Sequence, residues 1–214
     1  MERNWLVLVG GGHAAGKKVV VADVTKNLVS LADDDFPIKV EIVHLRDYAQ
    51  PGVYAPSSVD FERLRANLGK MNENNKQTVV IVEGLYALYD KELREKAIMK
   101  AFVDGDADTR LSRWILRDIG DDQSKLGDIL STYLNHARPE MNEFIHPTKE
   151  FADVILPRGS ETSGVKLIST GIYERIKEEA MNLPSEHHHL LDTPKIDLRK
   201  ESFVEQNQQF YDLN

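Results

Sequence analysis

A glycine-rich segment near the N-terminus, GGGHAAGKK, carries the residues of this chain that are best suited to bind phosphate. The spacing G-x-x-x-x-G-K is formed there by Gly11, Gly16 and Lys17. In such a loop, successive backbone N–H groups point at phosphate oxygens, and the following helix presents its positive N-terminus. We therefore predict that a nucleotide is bound by Gly11, Gly12, His13, Ala14, Ala15, Gly16, Lys17 and Lys18.

The residue after Lys17 departs from this pattern. Phosphate loops of this kind carry Ser or Thr there, whose hydroxyl coordinates Mg²⁺, but this chain has Lys18. A protonated ammonium cannot be a metal ligand, and it repels a dication. Lys18 either disables metal-assisted transfer, replaces part of the charge of the metal, or turns into solvent while other groups hold the metal. On balance Lys18 argues against Mg²⁺ as a cofactor of this loop.

Alternating strands and helices are predicted around this loop. Short apolar runs predict strands at residues 5–9, 39–44, 78–82, 100–103 and 153–156. Longer segments that are free of Gly and Pro, or periodic, predict helices at residues 17–32, 59–74, 91–98, 107–119, 125–145 and 164–181, with Pro139 kinking or breaking the fifth. This alternation indicates an α/β fold in which helices flank a parallel five-stranded sheet.

Composition narrows the domain organisation and the classes of partner. The chain has 214 residues, with 27 basic and 35 acidic side chains and a net charge of −8, which argues against nucleic acid or an anionic membrane as a partner. It has no cysteine, which fits a reducing compartment, and no apolar run approaches the ~18 residues of a membrane span. We expect one domain at residues 1–181, a polar tail at residues 182–214, and a location in the cytoplasm, with the nucleus as an alternative.

Two long segments resemble the uridine/cytidine kinase family, which is close to phosphoribulokinase. VVIVEGLYALYDKELREKAIMKAFVDGDADTRLSRWILRDI is similar to the family's E-G turn and its F-V-D-x-D-A-D-x-R-L-x-R-R-x-x-R-D signature. NHARPEMNEFIHPTKEFADVILPRG is similar to its V-R-P-x-x-x-x-F-x-x-P-T-K-x-x-A-D-V-I-I-P-R-G block. The likeness covers roughly residues 5–178. It implies a three-layer P-loop kinase fold, ATP as phosphate donor, Mg²⁺, and a pyrimidine nucleoside as acceptor in salvage.

The resemblance implies roles for several residues outside the loop. Glu83 falls at the family's metal-associated acid, although such an acid can also simply cap Gly84. Arg113 and Arg117 fall on the signature helix, from which guanidinium groups reach phosphates in a closed state. Alternatively, the arginines of this helix simply form a solvent-exposed stripe. Arg158 falls in the turn on the adenine side, but the Asn that usually follows in the family is absent.

The departures from the family lie at positions of chemistry. In HLRDYAQ, the best register puts Arg46 at the family's catalytic Asp, with Asp47 one residue late. Asp47 is the base on the acceptor hydroxyl if the loop absorbs this slip, and otherwise a surface acid paired with Arg46. The chain between Asp60 and residue 78 is too short for the hairpin that encloses the nucleoside. Trp114 replaces one signature arginine, and GDDQS replaces the R-G-R run.

These observations leave the following hypotheses open. The chain is a divergent uridine kinase with weak activity, or a catalytically dead regulatory or structural partner of an active uridine kinase. The family commonly forms homo-oligomers, so a paralogue could enter the same interface as a hetero-oligomer. A third hypothesis is a nucleotide sensor without turnover.

Overall fold

The fold is a parallel β-sheet of five strands with helices on both faces. The computed structural model describes residues 4–32, 36–74, 78–120 and 122–181. The strands pair in the order β2-β3-β1-β4-β5, and every pair is parallel. They are β1 (Trp5–Gly11), β2 (Lys39–His44), β3 (Thr78–Glu83), β4 (Ala97–Val103) and β5 (Val154–Leu156).

Seven α-helices are described, and four of them are long or start near the site. These are α1 (Lys17–Leu31), α2 (Phe61–Asn74), α4 (Ala107–Ile119) and α7 (Thr162–Met181). The other three are α3 (Lys91–Lys96), α5 (Leu126–Thr132) and α6 (Arg138–Glu140). None of the described helices is long and apolar enough to cross a membrane.

Alternate side chains of the strands enter two separate cores. Val7 and Val9 pack with residues of α1 and α7 on one face of the sheet, whereas Leu8 packs with α2 and α3 on the other. This alternation follows from the period of two residues along a strand, and it produces three layers. The predicted α/β fold with five parallel strands is confirmed.

Two predicted elements are corrected by the structure. The helix expected at residues 91–98 ends at Lys96, and β4 begins at Ala97 rather than Lys100, because Ala97 and Met99 pair with Leu6 and Val7 of β1. Pro139 was expected to kink or break a helix, but the chain stays helical through it. Turns of π-helix at Tyr133–Ala137 and Met141–Ile145 flank α6, and a change in hydrogen-bond pattern accommodates the missing N–H of proline.

The contacts divide the chain into two units, residues 1–177 and residues 178–214. Of the second unit, the structure describes residues 178–181, which form the end of α7. The polar tail predicted at residues 182–214 lies outside the described residues.

Candidate functional site

The carboxyl ends of three neighbouring strands create the site. β1 ends at Gly11, β3 at Glu83 and β2 at His44, and the sheet register pairs Val9 and His44 with Glu83. Ligands of open parallel sheets bind at this edge, where loops leave the strands. The glycine-rich loop between β1 and α1 therefore lies beside a buried carboxylate.

The loop itself has the backbone that its glycines predict. Gly11 has a φ of +141°, Gly16 has a φ of +98°, and Ala14 has a φ of +52°. Gly16 precedes α1, whose first turn contains no acidic residue. The positive end of α1 is thus available to an anion, as a phosphate site requires.

Lys17 lies inside this loop. Its Nζ donates hydrogen bonds to the carbonyl oxygens of Gly11 at 2.9 Å and Gly12 at 2.8 Å. Burial lowers the pKa of Lys17 to about 8, and Arg110 acts in the same direction, while Glu83 and Glu140 oppose the shift. The ammonium is therefore poorly solvated and would gain strongly from a phosphate.

This lowered pKa predicts how nucleotide affinity depends on pH. If only protonated Lys17 binds phosphate, raising the pH from 7 to 9 across a pKa of about 8 lowers ATP affinity about tenfold. Calorimetric titrations at pH 7, 8 and 9 measure this, and the Lys17→Met variant should lack the fall. An equal fall in that variant would show that another group titrates.

The lowered pKa of Lys17 also affects the stability of the fold. As the pH rises, it increases the free energy of unfolding, whereas it decreases ATP affinity. The pKa in the folded chain is lower than the ordinary value of 10.5, so the unfolded chain binds more protons between about 8 and 10.5. The contribution of Lys17 to the free energy of unfolding therefore rises with pH in this window. A loss of ATP affinity there cannot be attributed to unfolding driven by Lys17.

Lys18 is exposed at the start of α1, and no hydrogen bond or ion pair to it is recorded among the described residues. We expect Lys18→Thr to make Mg²⁺ tighten ATP binding about tenfold, because a hydroxyl replaces a repelling charge. Calorimetry with Mg²⁺ and with a chelator measures this, with the exposed Lys26→Thr on the same helix as control. No gain in Lys18→Thr would show that Lys18 is not the obstacle to the metal.

Glu83 is the candidate metal ligand, and it is held by a histidine. The residue is 5% exposed, and its Oε1 lies 2.7 Å from Nδ1 of His44. Mg²⁺ in phosphate sites often takes only one or two protein carboxylates. Glu83 fits that role, but the residue after Lys17 is Lys18, which has no hydroxyl to serve as a second ligand. The fit of these residues to Mg²⁺ is therefore incomplete.

The three arginines of α4 have different environments. Arg113 is exposed, and its Nη1 lies 4.0 Å and 3.9 Å from the points where Cβ atoms on Gly16 and Gly159 would stand. Its guanidinium is thus between the phosphate loop and the turn after β5.

Arg117 instead binds Asp118 at 2.5 Å, and this hydrogen bond raises the pKa of Arg117. Arg110 was not selected from the sequence, yet it is 8% exposed and its Nη1 lies beside Gly12.

The turn after β5 packs against the loop through a glycine. Gly159 has a φ of +78°, and a Cβ on it would stand 3.2 Å from the carbonyl oxygen of Ala15. Ser160 donates a hydrogen bond to Asp23 of α1. Arg158 is exposed in this turn. The turn that contains Arg158 is therefore next to the phosphate loop in space.

Comparison with known proteins identifies the family. The model of the family described as "Phosphoribulokinase / Uridine kinase family" matches residues 46–164 of this chain. A uridine kinase of Macrococcus caseolyticus is 31% identical over 83% of this chain and 100% of that protein. The chain belongs to the phosphoribulokinase/uridine kinase family. The protein named "Putative uridine kinase DAS2" of Saccharomyces cerevisiae is 27% identical over 100% of this chain and 97% of its own length.

A shorter segment of the chain matches another relative at higher sequence identity. Uridine-cytidine kinase 2-B of Danio rerio is 47% identical over 83 residues, which make up 39% of this chain and 32% of that protein. Family membership and the parallel sheet with a phosphate loop after β1 agree in giving the three-layer P-loop kinase fold. The resemblance predicted from the two long segments is confirmed.

The acceptor side departs from the family pattern. The side chain of Asp47 is 62% exposed and lies 3.6 Å from Nε of Arg46. It borders an open cavity of about 330 Å³. Asp60 begins α2 by accepting a hydrogen bond from the N–H of Arg63 at 2.9 Å. In the described chain between Asp60 and β3 there is one helix and no hairpin.

Apolar side chains of α4 and of the helical segment after it pack on the phosphate loop. Trp114, Ile129, Tyr133 and Ala137 form a small core, against which Ala14 of the phosphate loop packs. Trp114 also stacks on His13, with ring centroids 4.8 Å apart. Where the family signature has a second arginine, this chain therefore has an apolar contact with the loop.

Proposed function

We propose that this chain binds a nucleoside triphosphate, ATP by its family, through the phosphate loop, and that its phosphate transfer to a pyrimidine nucleoside is weak or lost. The observation that carries the proposal is the placement of Lys17. Its partly desolvated ammonium stands within a loop of the correct backbone, beside Glu83 at the neighbouring strand end. These features support binding of the donor nucleotide at this loop.

The proposal of reduced transfer rests on the acceptor side and on two residues of α4. Asp47 is largely exposed and adjacent to Arg46, so its carboxylate has no enclosed site in which to take a proton from a hydroxyl. Arg117 is engaged by Asp118, and Trp114 offers no charge to a transferring phosphoryl group. Each lost preorganised charge contact costs a factor of about 10² to 10³ in rate.

The test has a binding arm and a turnover arm. ATP is titrated with Mg²⁺ and with a chelator, and ADP release is then followed with uridine, cytidine and purine nucleosides. We expect binding, with little or no nucleoside-dependent ADP release. Release at the rate of an ordinary kinase, about 1 s⁻¹ or more, would overturn the claim of weak transfer. Any residual turnover should fall in Asp47→Asn if Asp47 is the base.

A second candidate function is that of a non-catalytic partner of an active uridine kinase, in a homo- or hetero-oligomer of the cytoplasm. The apolar packing of Trp114 and its neighbours on the phosphate loop supports it, because this packing stabilises the fold at a position where catalysis needs charge. Co-purification from a native lysate, followed by a uridine kinase assay of the eluate, tests it. A monomer without associated kinase activity would count against it.

A further inference from the structure

A buried glutamate connects the phosphate loop to two other segments. One carboxylate oxygen of Glu140, Oε2, lies 2.7 Å from Nε2 of His13 in the loop. The other accepts a hydrogen bond from the hydroxyl of Tyr86, which follows β3. Glu140 is only 3% exposed, at the end of α6. The loop thus has a side-chain anchor that the G-x-x-x-x-G-K pattern does not supply.

The partners of Glu140 determine which atom of His13 carries a proton. Burial and the hydrogen bond to Glu140 both raise the pKa of Tyr86, so its hydroxyl remains a donor throughout the neutral range. Because a carboxylate only accepts, Nε2 of His13 must donate to Oε2. The nitrogen on the other side of the ring, Nδ1, has no recorded hydrogen-bond partner in the described part of the chain.

The His13 ring is held on a second side as well. It stacks on Trp114 with a centroid separation of 4.8 Å and an angle of 23° between the planes. The stacking and the hydrogen bond of Nε2 together fix the orientation of the ring, so the direction of Nδ1 is fixed as well. Nδ1 can bind an anion only when it also carries a proton, since an unprotonated nitrogen would repel it.

We propose that His13 is a direct phosphate contact and that Glu140 is the residue that positions it. The inference rests on the proposed function, because it requires a bound triphosphate. The doubly protonated ring donates Nε2–H to Glu140 and Nδ1–H to a phosphate oxygen of ATP. His13 thereby adds positive charge at the loop of a chain that has neither a hydroxyl after Lys17 nor an arginine at Trp114.

The charges around His13 support proton uptake on binding. Glu140 is in contact with the ring, and Glu140 and Glu83 both influence the ammonium of Lys17. The guanidinium of Arg110 also lies against Gly12, the residue before His13, and its positive charge opposes protonation of the ring. Added phosphate charge shifts this balance toward protonated His13. The proposal therefore predicts that this ring gains a proton when ATP binds.

Calorimetry in two buffers of different ionisation enthalpy tests the proposal. At pH 7, the affinity for ATP and the number of protons exchanged are compared between the unaltered chain and His13→Gln. We expect the variant to bind about tenfold more weakly and to take up fewer protons, because a charge-assisted hydrogen bond is lost. Lys17, with a pKa of about 8, is largely protonated at this pH in both proteins.

Variants of the anchor separate positioning from folding. Glu140→Gln keeps the shape of the side chain but removes the charge that holds the imidazolium, so affinity and proton uptake should fall as in His13→Gln. Tyr86→Phe leaves the carboxylate in place and should have a smaller effect in the same direction. The matched controls are Glu143→Gln and His146→Gln, which alter exposed side chains and should bind like the unaltered chain. Urea unfolding of each variant checks the fold.

The outcomes distinguish this inference from the proposed function. If the unaltered chain does not bind ATP, the proposed function and the inference both fail. If it binds, and His13→Gln has the same affinity and proton uptake, only the inference fails. If Glu140→Gln folds and binds normally while His13→Gln does not, the phosphate contact stands and the positioning role of Glu140 is wrong.

Discussion

Replacing Lys17 with methionine is expected to lower ATP affinity about a hundredfold or more. The ammonium lies within the loop, and burial already lowers its pKa to about 8. Truncating one partner of a desolvated, hydrogen-bonded charge pair typically costs 2–5 kcal/mol, because the other charge is left without a partner. Methionine retains the length and apolar stem of the side chain. Calorimetric titration with ATP, in the presence of a chelator, measures the loss.

The stability of the same variant should behave differently. A lowered pKa means that the charged form of Lys17 is disfavoured in the folded chain, so methionine removes a desolvation cost along with two hydrogen bonds to carbonyl oxygens. We expect the free energy of unfolding to change by less than about 1.5 kcal/mol. Lys26→Met, an exposed change on α1, serves as control for both measurements. Unchanged ATP affinity in folded Lys17→Met would remove the basis for phosphate binding at this loop.

Replacing Gly11 with alanine is expected to destabilise the fold by about 2–6 kcal/mol. The backbone φ of +141° is strained for any residue with a Cβ, and this strain costs ~1–3 kcal/mol. The new Cβ would also stand 2.2 Å from the carbonyl oxygen of Val103 in β4. A strand backbone in the centre of a sheet cannot move away cheaply, and overpacking adds ~1–3 kcal/mol.

Urea unfolding of Gly11→Ala is best compared with that of a variant at a glycine where an added Cβ has space. Gly69 lies within α2, and nothing would stand within 4 Å of a Cβ there. Gly69→Ala should stabilise the chain by ~0.5–1 kcal/mol, since alanine loses less entropy than glycine in a helix. A Gly11→Ala variant that unfolds at the same urea concentration as the unaltered chain would show that the turn from β1 relaxes without cost.

The two predictions concern different links between sequence and function. Gly11 determines whether the loop can leave β1 beside β4 at all, whereas Lys17 determines what the formed loop binds. A chain that forms this loop and binds ATP, yet transfers phosphate poorly, would be a nucleotide-binding member of its family. That combination is what the donor and acceptor sides of this site favour.

Much of the fold follows from local pattern. β2 and α4 are found at the predicted residues because a short apolar run and a periodic helix are locally consistent with their tertiary positions. The ends of α3 and β4 were predicted less well. Ala97 and Met99 have no strong preference for strands, and their pairing with β1 decides their structure. Helical turns through Pro139 likewise depend on a π-helical pattern that no residue spacing reveals.

The phosphate loop was determined by the sequence itself, because glycine spacing and an adjoining lysine encode a backbone shape that acts within a few residues. The surroundings of the loop were decided only by tertiary structure. His13 and Glu140 are 127 positions apart in the chain, and Arg110 reaches Gly12 from a helix after β4. Charges so distant in sequence become neighbours only when parallel strands bring their carboxyl ends to one edge. The sequence therefore predicts the position of the loop, and the fold decides which side chains surround it.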